Sequence, residues 1–286
     1  MPKETILLAG GVGSGKSTWL VQMIHEHIPS DQPVWIFDNE RKIRGVAELF
    51  GPIPDNVTIY SPTSLVEASK HLNQDIIPEV RGKPEGYGVI MIDMLNFWWE
   101  KAQMDYHAAL IEGDQDYADY MLEVKKAKEA ANKRQGTTAN PFEGFTDWPI
   151  IKASHNKRLI EPILYDTPSH VLMTATSRDI RDENTGSMQD APGRRAMWGS
   201  YNQIPEGEKY NDSRVVTCMG LMRSGLMKPE YHLWLCKDRS RQLGKVEDYF
   251  EDVKIIPDED TGVFDLWWEF TSRRKNAPEM LTASER

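Results

Sequence analysis

The 286-residue chain has few cysteines, no surplus of positive charge and no long apolar run. Its two cysteines, Cys218 and Cys236, provide neither a disulfide framework nor the spacing of a zinc site. Lys and Arg number 34 against 44 Asp and Glu, and the net charge of −10 argues against a basic coat for nucleic acid. Because no apolar run reaches about 18 residues and no signal-peptide pattern begins the chain, we expect a soluble, cytoplasmic protein without a membrane segment.

Short apolar stretches alternate with helical patterns over about residues 1–177. The predicted strands are residues 6–9, 34–37, 57–60, 89–92 and 171–174. The predicted helices are residues 16–28, 43–50, 64–72 and 148–165. Continuously apolar strands between amphipathic helices predict an α/β fold with a mainly parallel central sheet covered on both faces. Late strands follow it, at residues 214–222 and 231–237 and as a hairpin over 253–270.

Two segments interrupt this alternation within what we expect to be one domain, residues 1–271, followed by a polar tail at 272–286. Residues 96–145 are rich in Ala, Glu, Lys and Met, which predicts a helical insertion on the surface or against a neighbouring subunit. Residues 177–212 are rich in Asp, Asn, Gly and Arg with little periodicity, which predicts a long loop.

The segment Gly10-Gly11-Val12-Gly13-Ser14-Gly15-Lys16-Ser17, here called the P-loop, matches the pattern G-x-x-x-x-G-K-[ST]. A predicted strand enters it, and a predicted helix that contains Thr18 leaves it. In this context the backbone N–H groups cradle nucleotide phosphates, Lys16 bridges the β- and γ-phosphates, and the Ser17 hydroxyl binds Mg²⁺. The motif predicts a site for ATP and Mg²⁺, although no base-reading motif distinguishes ATP from GTP.

Carboxylates follow two of the predicted strands. Asp93 ends the strand GVIMID, where a P-loop protein needs an acid to hold Mg²⁺. Asp38 and Glu40 follow the strand VWIF, and Glu40 is the candidate base for the attacking water, with Asp38 as a supporting acid. The alternative for either residue is an N-terminal cap of the helix that begins near Ile43.

These motifs, taken in order, resemble the RecA-type P-loop ATPases. The likeness is strongest to phage-encoded RecA-like AAA-family proteins, some of which act as single-strand annealing recombinases. It covers about residues 4–245 and includes further short motifs, which are Trp98-Trp99, Trp148 with His155, His170-Val171, and Lys237-Asp238-Arg239. The resemblance implies an oligomeric ATPase, a ring or a filament, located in the host cytoplasm if the protein is phage-encoded.

The resemblance also implies roles for residues late in the chain. Lys237 and Arg239 match a basic pair that reaches the γ-phosphate of a neighbouring subunit, and the alternative is a salt bridge at the strand end. Thr174 occupies the place of a γ-phosphate sensor that is usually Gln in RecA recombinases, and a threonine hydroxyl has a shorter reach.

The predicted loop 177–212 lies where RecA-type proteins keep a DNA-binding loop. It contains basic and aromatic residues suited to phosphates and stacked bases: Arg178, Arg181, Arg194, Arg195, Trp198, Tyr201 and Tyr210. Acidic residues are interspersed, so a surface loop without a ligand stays an alternative to single-stranded DNA binding.

Three functions fit the sequence. The first is a Mg²⁺-dependent, RecA-like ATPase acting on single-stranded DNA in phage recombination, repair or replication. The second is a small-molecule or nucleotide kinase, in which Arg178 and Arg181 would belong to a lid that closes over phosphates. The third is a nucleotide switch or packaging accessory that binds ATP and hydrolyses it weakly.

Overall fold

A computed structural model describes residues 3–110, 147–181, 190–224, 230–238 and 248–250, and its centre is a β-sheet. The strands are β1 Thr5–Gly10, β2 Val34–Asp38, β3 Val57–Tyr60, β4 Val89–Asp93, β5 His170–Asp179, β6 Gln203–Pro205, β7 Thr217–Ser224, β8 Glu230–Asp238 and β9 Asp248–Phe250.

The order of the strands across the sheet is β3-β2-β4-β5-β1-β7-β8-β9. The first six are parallel, whereas β8 and β9 are added antiparallel, and β6 pairs antiparallel with the end of β5. The prediction of a mainly parallel sheet extended by late antiparallel strands is therefore confirmed. The hairpin predicted at 253–270 and the tail lie outside the described residues.

Helices connect the strands. They are α1 Lys16–Gln22 with a π-helical continuation Met23–His27, α2 Ile43–Ala47, α3 Leu65–His71 with the π-helical Leu72–Ile76, α4 Ile77–Val80, α5 Leu95–Leu110, α6 Asp147–His155 with the π-helical segments Asn156–Ile160 and Pro162–Asp166, α7 Pro192–Trp198 and α8 Asn211–Arg214. In the ranges that the structure describes, no helix is both long enough and apolar enough to span a membrane.

Each face of the sheet carries its own apolar core. Ile6 and Leu8 of β1 pack with α1 on one face, whereas Leu7 and Ala9 pack with α3 and α5 on the other. Successive side chains of a strand point to opposite faces, so a strand buried on both sides is apolar at nearly every position. This is why β1 appears in the sequence as the unbroken run Ile6–Ala9.

The start of the predicted insertion belongs to the core. Helix α5 follows β4 after one residue, and its Leu95, Trp98 and Ala102 are buried in the cluster that contains Phe37 of β2. The expectation of a surface position is therefore wrong for this part of residues 96–145. Residues 111–146 lie outside the described ranges.

The predicted long loop contains regular structure. Strand β5 continues to Asp179, and α7, β6 and part of α8 fall within residues 177–212. The polar composition of this segment does not predict these elements, because a carboxylate within it is buried and is neutralised by a nearby arginine. The carboxylate of Asp212 accepts hydrogen bonds from the Arg194 guanidinium and, at 3.1 Å, from Nε1 of Trp198.

Three aromatic residues noted in the sequence meet between α5 and α6. The Trp99 ring stacks on Trp148 at 5.8 Å between centroids, and its other contact is edge-to-face with His155 at 5.4 Å. His155 is fully buried, and its Nε2 has no hydrogen-bond partner among the described residues. Burial lowers the pKa of His155 to about 4.

We predict that His155 makes folding sensitive to acid. Because the folded state binds a proton to this ring less readily than the unfolded chain does, stability falls as pH drops below the unfolded pKa of 6.5. From about pH 7 to about pH 5 this residue should cost about 2 kcal/mol. Urea unfolding at both pH values measures it, and His155→Leu should lose that much less than the wild type. An equal loss in both proteins would contradict the prediction.

Candidate nucleotide-binding site

The P-loop connects β1 to α1 in a conformation that depends on its glycines. Gly13 and Gly15 have φ angles of +74° and +89°, in the left-handed region that other residues seldom adopt. At Gly10 a Cβ atom would lie 2.6 Å from the Leu221 carbonyl oxygen, so no side chain fits. The loop therefore turns tightly at the end of the parallel strands, while the Val12 side chain is almost fully exposed.

The Lys16 ammonium is held inside this turn. It donates hydrogen bonds of 2.8 Å to the carbonyl oxygens of Gly10 and Gly11. Burial lowers the pKa of Lys16 to about 8, and the carboxylates of Asp93 and Glu40 oppose that change. A buried cation in the P-loop, whose hydrogen bonds to described residues go to neutral carbonyls, is suited to bind an anion.

Three side chains from different elements meet next to the loop. The Ser17 hydroxyl donates to Oδ2 of Asp93 at 2.8 Å, and the Thr174 hydroxyl donates to Oδ1 of the same carboxylate at 2.5 Å. Asp93 and Thr174 are fully buried. Burial raises the pKa of Asp93, whereas the hydrogen bonds from Thr174 and Ser17 lower it. Thr174 is thus engaged with Asp93.

This arrangement fits Mg²⁺. The cation prefers hard oxygen ligands, usually one or two protein oxygens completed by phosphate and water. The Ser17 hydroxyl and the Asp93 carboxylate, predicted from the sequence as its ligands, are brought together at the mouth of the loop. Thr18 follows them, half-buried, on the first turn of α1.

The two acids after β2 have different surroundings. Asp38 is buried, and its carboxylate accepts the N–H groups of Lys42 and Ile43 at 3.2 and 3.0 Å, as in the helix-capping alternative. Glu40 is exposed and accepts a hydrogen bond of 2.8 Å from the Lys42 ammonium. Burial lowers the pKa of Lys16 and raises the pKa of Asp93, and the charge of Glu40 opposes the first change and adds to the second, so its carboxylate lies close to both residues.

The late basic pair is described only in part. Lys237 is near the end of β8, and its ammonium donates to the carbonyl oxygens of Asp212, Ser213 and Val215 at 2.7, 3.2 and 2.6 Å. Within this chain it therefore binds the end of α8. Arg239 lies outside the described residues.

Several side chains proposed for DNA binding form contacts within the fold instead. Arg178 forms a two-pronged ion pair with Asp190, at 2.7 and 3.0 Å. Arg194 is likewise paired with the buried Asp212. The prediction of base stacking on Trp198 and Tyr201 is wrong, because both rings are buried. Of the seven residues, those left to solvent are mainly Arg181 and Tyr210, while Arg195 is half-buried.

Sequence reasoning missed Lys42 and Arg223. Lys42 pairs with the candidate base. Arg223 lies on β7, and its Nη1 would be 3.8 Å from a Cβ atom placed on Gly13 of the P-loop. In the sequence, Arg223 is marked only by its position near the end of a predicted strand. The sequence does not indicate which strand pairs with β1, so it does not place Arg223 beside the P-loop.

Comparison with solved structures gives similarity to the KaiC-like protein PH0186 from the hyperthermophilic archaeon Pyrococcus horikoshii OT3. The identity is 13%, the TM-score is 0.48, and the alignment covers 87% of this chain and 84% of that one. No protein-family model and no curated protein matches the chain.

We predict that Thr174 holds Asp93 in its magnesium-binding position. Thr174→Val keeps the shape but removes the donor to a buried carboxylate, an interaction worth about 1.5–3 kcal/mol. The Mg²⁺ concentration at which nucleotide binding is half-maximal should therefore rise at least about tenfold. A Mg²⁺ titration of nucleotide binding measures this, with Thr174→Ser as the control that keeps the hydroxyl. Equal Mg²⁺ requirements in wild type and Thr174→Val would refute it.

Proposed function

We propose that the protein binds ATP with Mg²⁺ and hydrolyses it. The observation that carries the proposal is the meeting of the Ser17 hydroxyl with the Asp93 carboxylate beside a tightly turned P-loop. A phosphate loop, a lysine, a hydroxyl and a strand-end acid are the parts that phosphoryl transfer requires, because its catalysis consists mainly of positioning and charge stabilisation.

Each side chain then has a role at a stated atom. Lys16 exchanges its contacts to the carbonyls of Gly10 and Gly11 for oxygens of the β- and γ-phosphates. Ser17 and Asp93 would hold Mg²⁺, which supplies positive charge to the same phosphates when bound. Glu40 accepts a proton from the attacking water.

The ion pair of Glu40 with Lys42 does not prevent this role. The Lys42 side chain is 59% exposed, and an exposed pair contributes at most about 1 kcal/mol. Releasing the carboxylate therefore slows hydrolysis by no more than about fivefold. A neighbouring subunit can also contact a base that faces solvent and help to position it.

The same ion pair favours a second candidate, the weakly hydrolysing nucleotide switch. If Glu40 stays bound to Lys42 in the nucleotide complex, the site binds ATP without a free base. The kinase alternative has less support, because Arg178, one of the two arginines proposed for its lid, forms an ion pair with Asp190.

The setting of this activity is also a proposal, and it depends on the resemblance to phage RecA-like proteins. We propose a homo-oligomer, a ring or a filament, in which Arg239 reaches the γ-phosphate of a neighbouring subunit. Single-stranded DNA would bind at the segment 177–212 in phage recombination, repair or replication. The exposure of Arg181 and of part of the Tyr210 ring, over which the Lys152 ammonium lies at 3.7 Å, supports this proposal.

For hydrolysis we predict that Lys16→Ala abolishes both ATP binding and turnover, whereas Glu40→Gln keeps binding and lowers kcat about 100-fold or more, as expected for loss of a general base. Nucleotide binding and steady-state phosphate release measure the two effects. Lys42→Ala is the matched control, and its kcat should equal or exceed that of the wild type. Unchanged single-turnover rates in Glu40→Gln would favour the switch.

For assembly and DNA we predict that single-stranded DNA stimulates hydrolysis and that Arg239→Ala removes the stimulation. Arg239 is the better test than Lys237, because Lys237→Ala also strips a donor from three carbonyls of its own chain. Hydrolysis that ignores DNA would refute the recombinase role and leave the nucleotide site intact.

A further inference from the structure

One cation beside the P-loop has no assigned role. Strand β7 pairs in parallel with β1, and Leu221 is the register partner of Gly10, the last residue of β1. Arg223 is two residues further along β7, so it runs beside the loop that leaves β1. Its Nη1 would lie 3.8 Å from a Cβ atom on Gly13, which places the guanidinium at the loop itself.

The position of Arg223 relative to the sheet agrees with this. Met219 and Leu221 belong to the core on the α1 face. Because side chains alternate along a strand, Arg223 lies on that face too, where the sheet core ends and the P-loop begins. The residue is exposed, so burial does not account for its position.

In the part of the chain that the structure describes, no carboxylate forms an ion pair with the Arg223 guanidinium. Arg178 and Arg194, in contrast, are each paired with an aspartate. A guanidinium at Gly13 adds positive charge to the P-loop, which favours binding of a polyanion there.

We propose that Arg223 binds the phosphates of the nucleotide on its own P-loop. The inference rests on the proposed nucleotide site and adds a residue to it. Arginine suits the role, because its planar fork donates two parallel hydrogen bonds to phosphate oxygens. Arg223 acts within one chain, so its contribution requires no neighbouring subunit.

The test is competition binding with the full-length protein. A fluorescent ATP analogue is displaced by ATP, ADP and inorganic tripolyphosphate in the wild type, Arg223→Ala, Arg223→Lys and Lys16→Ala. Arg81→Ala is the matched control, because Arg81 is exposed and precedes β4, at the opposite end of the strands from the P-loop. Thermal unfolding verifies that each variant is folded.

Arg223→Ala should weaken ATP and tripolyphosphate by the same factor, about 10- to 100-fold, as for loss of a charge-assisted contact. Arg223→Lys should recover part of the affinity, and Arg81→Ala should bind like the wild type. Wild-type affinity in Arg223→Ala would overturn the inference and leave the nucleotide site standing. Weaker ATP with unchanged tripolyphosphate would overturn it in favour of stacking on the base. Failure of the wild type to bind any of the probes would overturn the nucleotide site as well.

Discussion

The hydrogen bond from Ser17 to Asp93 joins two segments that are 76 residues apart in the chain, and the site depends on it. Strand β5 lies between the P-loop strand β1 and β4, and its Thr174 donates to the other oxygen of the same carboxylate. Three elements thus converge on one buried charge. Leaving such a carboxylate without donors would cost several kcal/mol, so the polar contacts and the apolar sheet support each other.

Charge is handled differently a short distance away. The segment 190–215 contains a buried aspartate, Asp212, neutralised by Arg194, while the Lys237 ammonium binds the carbonyls at the end of α8. Cations that would be natural DNA contacts in an open loop serve here to fold a small helical element against the face of the sheet at β7 and β8. At the P-loop, in contrast, the hydrogen bonds of the Lys16 ammonium to described residues go to carbonyls, and Arg223 forms no ion pair with any of them.

Some features followed directly from the sequence. Strands such as β2 and β4 were found within one or two residues because burial on both faces forces unbroken apolar runs. The P-loop is equally predictable, because its glycines, lysine and serine lie in one short segment and the local geometry of the loop explains each of them. The prediction of a long loop for 177–212 is wrong because its buried residues, Trp198, Tyr201 and Ile204, follow no regular period in the sequence, and pairing between Arg194 and Asp212 has no signature in composition.

The parallel α/β sheet and the P-loop at a strand end follow from the amino-acid sequence, because neighbouring residues encode both properties. Which groups surround that loop depends on contacts between elements that are distant in the chain. Strand order set Thr174 on Asp93 and Arg223 beside Gly13, and the turn after β2 set Lys42 on Glu40. Strand order is a matter of contacts between distant segments, and such contacts depend on the packing of the whole core.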